Sequence, residues 1–294
     1  MPYVHRWKTD HPRLLVHILH GMAEHGARYE RLALELNAHG INVWAHDHRG
    51  HGLTAASPKE LGHFADSNGW RLIVDDAWAV SREMMTAHPG VPMALFAHSM
   101  GSFVGQMLLG EHGDGYRAVV LSGTNGPPDA REGVLRGFSG VQRRLLGPRS
   151  PGVWIDRQIT NTFNRRFEPR ETDFDWLSRD KNEVRKYIDD RLCGFPLTSQ
   201  AWYDILHGKA QLGRDAHVGR IPKALPIHVI GGTDDPVGEN GKGVQRLIDL
   251  YSKNGLTISS RLYPGARHEL VNETNKDEVT TDLREWLLQF ACSP

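Results

Sequence analysis

Six short apolar runs, each closed by glycine or a polar turn, constrain the fold of this chain more than any other feature. They lie at 13–21, 41–47, 92–99, 116–123, 225–232 and 257–265. Such runs, without clean alternation of apolar and polar residues, are typical of strands buried on both faces, as in a parallel sheet. Helical patterns lie between them. The alternation predicts an α/β fold with a doubly wound, mostly parallel sheet and helices on both faces.

Two of the helical patterns are especially clear. One follows the capping candidates Ser67 and Asn68 and has apolar residues at Ile73, Ala77, Val80 and Met84. The other lies near the end of the chain, with apolar residues at Val279, Leu283, Trp286, Leu287 and Phe290. In each, the apolar residues recur at helical spacing, so we expect one face of each helix to pack on the sheet.

The alternation stops from about Gly126 to Gly208. Loops longer than about 15 residues in a compact domain usually form lids or small subdomains, and this stretch has helical periodicity of its own. We therefore predict a core of residues 1–125 and 209–294 and a mostly helical cap of residues 126–208. The aromatic residues of this stretch are interpreted as the cap's own core, with an acyl-binding groove as the alternative; they are Trp154, Phe163, Phe167, Phe174 and Trp176.

Charge and composition exclude some classes of function. The chain has 35 basic and 35 acidic residues, so it lacks the overall positive charge of a nucleic-acid-binding protein. It has no secretory leader pattern and no apolar run near the roughly 20 residues that cross a bilayer. Its two cysteines, Cys193 and Cys292, have no metal-binding spacing. These features predict a soluble protein of the reducing cytoplasm.

The cap is locally basic. Its arginines outnumber the acids Glu132, Asp156 and Glu168 over the same stretch; they are Arg131, Arg136, Arg143, Arg144, Arg149, Arg157, Arg165, Arg166 and Arg170. We interpret them as a solvated face, since they form no clear one-sided stripe. Peripheral contact with an anionic membrane surface is the alternative.

The stretch "LFAHSMGS" at 95–102 places Ser99 between a predicted strand and a predicted helix. A serine in that sharp turn, the nucleophile elbow, needs small residues two positions away on either side, and Ala97 and Gly101 provide them. Alanine replaces the usual first glycine, which is tolerable where the backbone φ is negative. The alternative is that Ser99 only caps the helix, because serine is a favoured N-cap residue.

Partners for Ser99 follow later strands in the expected order. A serine nucleophile needs a base, and the base needs an acid to orient it. Asp234 and Asp235 directly follow the run at 225–232, and His268 follows the run at 257–265. Backbone N–H groups of Met22 and Met100 would form the oxyanion hole, since Met22 follows an early strand and Met100 follows Ser99.

Several motifs together resemble one family. "HGMAEHGARY", "DHRGHG", "HSMG", "DPVG" and "GARHE" look like the monoacylglycerol lipase and lysophospholipase branch of the serine α/β-hydrolases, or serine aminopeptidase-like hydrolases. The resemblance covers nearly the whole chain. It implies Ser99 as nucleophile, Asp235 as acid, His268 as base and the amides of Met22 and Met100 as oxyanion donors, with Asp234 the weaker candidate acid.

The resemblance also implies an activity. It is the hydrolysis of monoacylglycerols, lysophospholipids or similar acyl esters through an acyl-enzyme, with no metal or organic cofactor. One strand, "YVHRW", precedes the run at 13–21, where the family usually shows two.

Three other interpretations stay open at this stage. "HDHRGH" at 46–51 is close to a zinc motif but has Gly50 where that motif has an aspartate ligand; isolated histidines such as His17 are expected to be surface or satisfied core residues. A peptidase or amidase of the same fold would need an acid in the cap, and Glu168, Glu171 and Asp175 are candidates. A hydrolase-like protein that only binds a ligand is the third.

Overall fold

The computed structural model describes residues 1–293, and of residues 130 and 131 only the backbone. Seven strands form one sheet: β1 Val4–Trp7, β2 Leu14–Leu19, β3 Ile41–His46, β4 Met93–His98, β5 Ala118–Ser122, β6 Ile227–Gly232 and β7 Ile258–Tyr263. Their order across the sheet is β1-β3-β2-β4-β5-β6-β7. β1 is antiparallel to β3, and all other neighbours are parallel. The predicted mostly parallel sheet is confirmed.

Ten α-helices accompany the strands within residues 1–293. They are α1 Glu30–Asn37, α2 Gly69–Ala87, α3 Met100–His112, α4 Ala130–Leu146, α5 Val153–Asn164, α6 Lys181–Asp189, α7 Ser199–Leu212, α8 Asp215–Val218, α9 Lys242–Lys253 and α10 Lys276–Leu288. No helix within residues 1–293 has both the length and the apolar character that a bilayer span requires.

The central strands are buried on both faces because helices cover both sides of the sheet. Along β2, Leu15 and Leu19 join a core shared with α2, α3 and α9, whereas Val16 and Ile18 join a core shared with α1 and α10. Alternate residues of a strand point to opposite faces, so one apolar run supplies both cores. This is the doubly wound arrangement that the sequence predicts.

Two details of the helices differ from the sequence-based expectation. Asn68 occupies the N-cap position of α2, but its φ is +55° and its side chain makes no capping hydrogen bond. The position of this helix start is therefore right and the capping mechanism is wrong. α10 ends at Leu288, so Phe290 follows the helix and packs against the same core from outside it.

Helices α4 to α8 all lie between β5 and β6, where the sequence predicts a helical insertion. α7 packs against α4 but also against α2 and α3, and Ile155 and Trp202 belong to the same apolar core as the sheet. The predicted boundary at 208/209 falls inside α7, which packs both against α4 of the predicted cap and against α2 and α3 of the predicted core. The division into core and cap therefore stays a prediction.

Parallel strands bring their following loops to one edge of the sheet. The loops after β2, β4, β6 and β7 contain Met22, Ser99, Asp235 and His268, respectively. Crevices at the carboxyl ends of such strands are where open α/β sheets bind ligands. The insertion between β5 and β6 starts from this same edge.

Candidate active site

Ser99 joins β4 to α3 in a strained backbone conformation. Its φ is +52° and its ψ is −122°. A non-glycine residue in this region costs about 1–3 kcal/mol and is found mainly at functional sites. An N-cap serine has an extended backbone and accepts a hydrogen bond from the helix, but the Ser99 side chain makes no such bond with α3. The geometry is that of a nucleophile elbow rather than of a helix cap.

Small neighbours make this turn possible. A Cβ atom at Gly101 would lie 2.4 Å from the backbone oxygen of Leu19 and 2.5 Å from that of His20, so only glycine fits. Ala97 is not among the residues with positive φ, and its methyl group lies against Gly105. The alanine that replaces the usual glycine is accommodated because Gly105, one turn into α3, has no side chain.

His268 and Asp235 form a buried pair. His268 Nδ1 lies 3.0 Å from Asp235 Oδ1 and 3.1 Å from Oδ2, and each residue is 1% exposed. Burial favours the neutral imidazole, but the Asp235 carboxylate outweighs that effect and raises the pKa of His268 above its ordinary value. The backbone N–H of Val237 donates to Asp235 Oδ1 at 2.9 Å, which fixes the carboxylate.

Asp234 lies elsewhere. Its side chain is 39% exposed and is 3.7 Å from the Arg166 guanidinium. The structure therefore brings Asp235, and not Asp234, to His268. Adjacent residues after a strand point in different directions, so the choice depends on how the loop turns.

Two other rings lie close to the imidazole of His268. The centroid of the His98 ring is 4.7 Å away, and that of Trp176, from the cap, is 5.0 Å away. Backbone bonds also join the cap to this loop, since Glu269 N–H donates to the Leu177 carbonyl at 2.7 Å. Ser99 and His268 line the same cavity.

The loop after β2 lies directly against Ser99. A Cβ atom at Gly21 would be 3.1 Å from Ser99 Cβ. Met22 and Met100 both line the cavity, and within residues 1–293 neither backbone N–H has a hydrogen-bond acceptor. Met100 is the first residue of α3, where free N–H groups and the helix dipole favour negative charge. Met22 and Met100 therefore stay the predicted oxyanion donors.

An ion-pair network that sequence reasoning missed connects this loop to the His268 loop. Arg28 donates two hydrogen bonds to Glu269, at 2.6 and 2.7 Å, and one to Glu24 at 2.6 Å. Burial would raise the pKa of the Glu269 carboxyl, but Arg28 outweighs this and lowers it to about 2. Glu24 and Arg28 are four residues apart, a spacing that indicates an ion pair in the sequence, but Glu269 is 241 residues from Arg28.

The histidines of "HDHRGH" hold loops together rather than converge on a common point. His48 Nε2 bonds to the His20 carbonyl, and His51 Nε2 accepts from the Ala23 N–H at 3.1 Å. Over the described part of the chain, the metal-capable groups are His5, His25 and Asp47, and His25, Asp190 and Cys193. Neither group contains the three histidines of the motif, which removes the support for a zinc site at 46–51.

The cavity at the site has a volume of about 890 Å³. Cap residues form most of its apolar wall, including Leu135, Phe138, Trp154, Phe163, Trp176 and Ile205. Of the five cap aromatics, Phe167 does not line it, whereas Trp154, Phe163, Phe174 and Trp176 do. Phe174 and Trp176 also pack on a small cap core with Leu177, Tyr187 and Cys193. The structure therefore gives these rings both of the roles that the sequence left open, since Phe174 and Trp176 belong to the small core and also line the cavity.

Comparison with known proteins agrees with this geometry. The model of the family described as serine aminopeptidase, S33, matches residues 10–275, and the chain belongs to that family. It is 27% identical to the monoacylglycerol lipase of Mycolicibacterium smegmatis, over 96% of this chain and 91% of that protein. It is also 27% identical to human monoglyceride lipase, over 96% of this chain and 85% of that protein.

Solved structures extend the comparison. A carboxyl esterase from Bacillus coagulans, solved with glycerol, superposes with a TM-score of 0.90 at 26% identity, over 98% of this chain and 94% of that chain. A monoglyceride lipase from Saccharomyces cerevisiae shares the fold, with a TM-score of 0.76 at 18% identity, over 99% of this chain and 92% of that chain. The chain is thus an α/β-hydrolase of the monoacylglycerol lipase-like branch, and its enzyme class is carboxylic ester hydrolase.

Proposed function

We propose that the protein hydrolyses acyl esters, with monoacylglycerols and lysophospholipids as the substrate class, through a covalent acyl-enzyme formed on Ser99. The observation that carries this proposal is the buried His268–Asp235 pair beside a cavity that Ser99 also lines. Because Nδ1 of His268 bonds to Asp235, Nε2 is the nitrogen free to act as base. The apolar cap wall supports an acyl chain as the part of the substrate that the cavity holds.

The steps follow from these positions. Ser99 Oγ attacks the ester carbonyl while His268 Nε2 takes its proton, and Asp235 stabilises the resulting imidazolium. The amides of Met22 and Met100 donate to the oxyanion. His268 then protonates the leaving alcohol, and water attacks the acyl-enzyme with His268 again as base. Every proton transfer uses a side chain of this chain, so the proposed steps require no cofactor.

The three cap acids that the sequence offers for a peptidase do not line the cavity that Ser99 lines. Glu171 and Asp175 line a separate small pocket, and the Glu168 carboxylate bonds to the Arg170 N–H. Acids that do line the cavity include Glu24 and Glu269, both paired with Arg28, and Glu239, paired with Arg246. Asp129, Glu132 and Asp156 of the cap line it as well, with Glu132 paired with Lys209 and Asp156 accepting from Trp202 Nε1. The acids that the sequence offered for a peptidase are therefore not the ones at the cavity, and the ester proposal rests on the apolar wall.

The test compares hydrolysis of a short-chain p-nitrophenyl ester by the wild type and Ser99→Ala, with a metal chelator present. We expect the wild type to be active and Ser99→Ala to lose on the order of 10⁴ to 10⁶ in turnover. Ser122→Ala is the matched control, because Ser122 is buried at the same sheet edge and its hydroxyl has no partner among the described residues. Hydrolysis that survives in Ser99→Ala would refute the assignment of Ser99 as nucleophile. Loss of wild-type hydrolysis when the chelator is added would favour a mechanism that uses a metal ion.

We also propose that the cap contacts a lipid surface. Six apolar side chains of α4 and α5 are more than half exposed and form the cap patch: Val134, Val141, Leu145, Leu146, Val153 and Trp154. Val134 and Trp154 also line the cavity, so the patch adjoins the acyl site. Arg144 and Arg157 are exposed on the same helices, which suits an anionic surface. The side chain of Arg131 lies outside the described residues.

Sedimentation with anionic phospholipid vesicles tests this contact. We expect the double change Leu145→Asp and Leu146→Asp to weaken binding about tenfold or more, because two exposed leucines lose their apolar burial in lipid. Leu34→Asp on α1, where Leu34 is 54% exposed, is the matched control. Hydrolysis of a soluble ester should be unchanged in all three proteins. Equal vesicle binding by the two variants would exclude the cap patch as the contact.

We further propose a reducing compartment, the cytoplasm, as the location of the enzyme. Cys193 is buried and Cys292 is exposed, and both are free thiols. Unpaired cysteines, one of them accessible, suit a compartment that keeps thiols reduced. Labelling of Cys292 by a thiol reagent in freshly lysed cells, without added reductant, tests this proposal, and an oxidised Cys292 would contradict it.

A further inference from the structure

One charged pair interrupts the apolar wall of the cavity. Lys209 of α7 donates to Glu132 of α4, with 2.6 Å between Nζ and Oε1. Lys209 is only 7% exposed, and its Nζ lies 4.6 Å from the centre of the Phe103 ring. Lys209, Glu132 and Phe103 all line the cavity. The proposed hydrolysis uses none of these three side chains.

The ammonium of Lys209 has unused hydrogen-bonding capacity. It carries three N–H donors, and Glu132 is its hydrogen-bond acceptor within the described part of the chain. A buried charged donor without a partner is costly, so the remaining N–H groups need oxygen atoms from the cavity itself. Lys209 is more than nine-tenths buried, and Glu132 uses only one of its three N–H donors, so this point of the cavity can bind a ligand oxygen.

The position of the pair relates it to the acyl chain. Along α7, Trp202, Ile205 and Leu206 line the cavity before Lys209 does, at helical spacing. Along α4, Leu135 and Phe138 follow Glu132 in the same way. The pair therefore closes one end of the apolar wall formed by these two adjacent helices. Phe103, whose ring centre lies 4.6 Å from Lys209 Nζ, is one turn beyond Ser99 on α3, which connects the pair to the helix that follows the proposed nucleophile.

The charges around Lys209 limit which kind of ligand group can bind beside it. Asp129 and Glu239 also line this part of the cavity, and Arg246 pairs with Glu239. With Glu132 and Lys209 this makes three carboxylates and two cations, so an anionic group would be repelled. An ammonium group would have to compete with Lys209 for the same acids. A neutral oxygen accepts from Lys209 without either cost.

We propose that the Lys209–Glu132 pair is a specificity element that hydrogen-bonds a hydroxyl group on the acyl chain of the substrate. The hydroxyl oxygen accepts from Lys209 Nζ, and its hydrogen is free to be donated to the Glu132 carboxylate. The enzyme then prefers hydroxylated acyl esters over plain ones of the same length. This inference rests on the proposed ester hydrolysis and adds the chemistry of its acyl group.

The experiment compares ethyl decanoate with its counterparts hydroxylated on the third, fifth or seventh carbon. For the wild type we expect kcat/KM to favour one hydroxylated ester by about tenfold or more, since a hydrogen bond to a charged group is worth that ratio. In the double variant Lys209→Met/Glu132→Gln, which removes both charges at similar size, the preference should fall to one or below. Removing both partners avoids leaving a lone buried charge.

A binding measurement separates this inference from the proposed hydrolysis. In Ser99→Ala, which does not turn the esters over, calorimetry should show the same preference in Kd, and adding Lys209→Met/Glu132→Gln should abolish it. Lys276→Met/Glu183→Gln, a pair whose residues do not line the cavity, should leave the preference intact. If the double variant fails to fold, Lys209→Arg serves instead, with a reduced but measurable preference expected.

The outcomes are distinct. Ester hydrolysis with no preference for any hydroxyl position, or the same preference after both charges are removed, overturns the inference and leaves the proposed function standing. A preference in Kd that depends on Lys209, in a protein that hydrolyses no ester, supports the subsite and overturns the proposed hydrolysis.

Discussion

Two of the regions that bury histidines shift the pKa of the imidazole in opposite directions. One lies inside the sheet, where His17 Nδ1 bonds to Ser81 Oγ at 2.8 Å and His17 Nε2 bonds to His46 Nδ1 at 2.9 Å. The other lies at the edge of the sheet, where His268 bonds to Asp235. His17, His46 and His268 are all at most 1% exposed.

Their pKa values move in opposite directions. Burial lowers the pKa of His17 to about 3, because its partners are neutral and nothing compensates the lost hydration of a cation. Burial acts on His268 as well, but the carboxylate of Asp235 more than offsets it, and the pKa is raised. The charge of its partner thus decides whether the pKa of a buried histidine falls or rises.

The largest expected effects come from removing each histidine, because His268 should affect turnover and His17 should affect the free energy of unfolding. His268→Ala should lower turnover of a p-nitrophenyl ester on the order of 10⁴ to 10⁶. His17→Ala should cost about 2–4 kcal/mol in the free energy of unfolding, through a cavity and a lost partner for Ser81, with turnover of the folded enzyme within about tenfold of wild type. Urea denaturation and steady-state kinetics measure both. Near-normal activity in His268→Ala would show that the base is another residue.

Removal of the Asp235 carboxylate should leave His268, like His17, with a pKa that burial lowers. Asp235→Asn should lower turnover on the order of 10² to 10⁴. The base acts when neutral, so wild-type activity should rise with pH through a pKa above 6.5. Without the attraction of Asp235, burial remains and the acid limb should move to lower pH.

Asp234→Asn is the matched control for that change. Its side chain is partly exposed beside Arg166, so its removal should leave the turnover and the pH profile close to wild type. A larger loss in Asp234→Asn than in Asp235→Asn would mean that Asp234 is the acid in the working enzyme.

The smallest expected effect concerns stability at acid pH. The pKa values of His48 and His51 are lowered by burial to about 3 and about 4, from an ordinary value of 6.5. The unfolded chain therefore binds more protons below pH 6.5, and stability should fall from there toward pH 4. His51→Gln should reduce that slope by up to about 1.4 kcal/mol per pH unit. Chemical denaturation at a series of pH values checks this, and an unchanged slope would contradict the neutral state of His51.

His268 should contribute to stability with the opposite sign. Its pKa is raised in the folded state, so its contribution is fully present below the unfolded value of 6.5 and is lost as pH rises through the folded pKa. The same denaturation series on His268→Ala should show this, as a smaller loss of stability above pH 6.5 than in wild type.

Much of the fold and part of the site could be predicted because their signals are local. Each of the six predicted strands lies inside its apolar run, and the helix with Ile73 and Met84 is α2. The order of Ser99, Asp235 and His268 along the chain, each after its own strand, also places them at one edge of the sheet. These predictions need only the periodicity of side chains and the geometry of parallel strands.

Other features depend on contacts between distant parts of the chain. Arg28 reaches Glu269 across 241 residues, and no spacing in the sequence reveals that pair. Lys209 and Glu132 are 77 residues apart, and each looks like an ordinary surface charge in the sequence. The sequence leaves the cap aromatics between a cap core and an acyl-binding groove, because an apolar pattern indicates that a ring is buried but not what it is buried against.

By itself the sequence determined the parallel sheet, the elbow at Ser99 and the set of loops from which the site is built, because each depends on neighbours within a few residues. Only the tertiary structure decided that Asp235 rather than Asp234 meets His268, which rings line the cavity, and which buried histidine has a carboxylate partner that raises its pKa. Those outcomes depend on the path of loops and on pairs of side chains brought together by folding. Interaction energies at such pairs fall off within a few ångströms, so sequence separation carries no information about them.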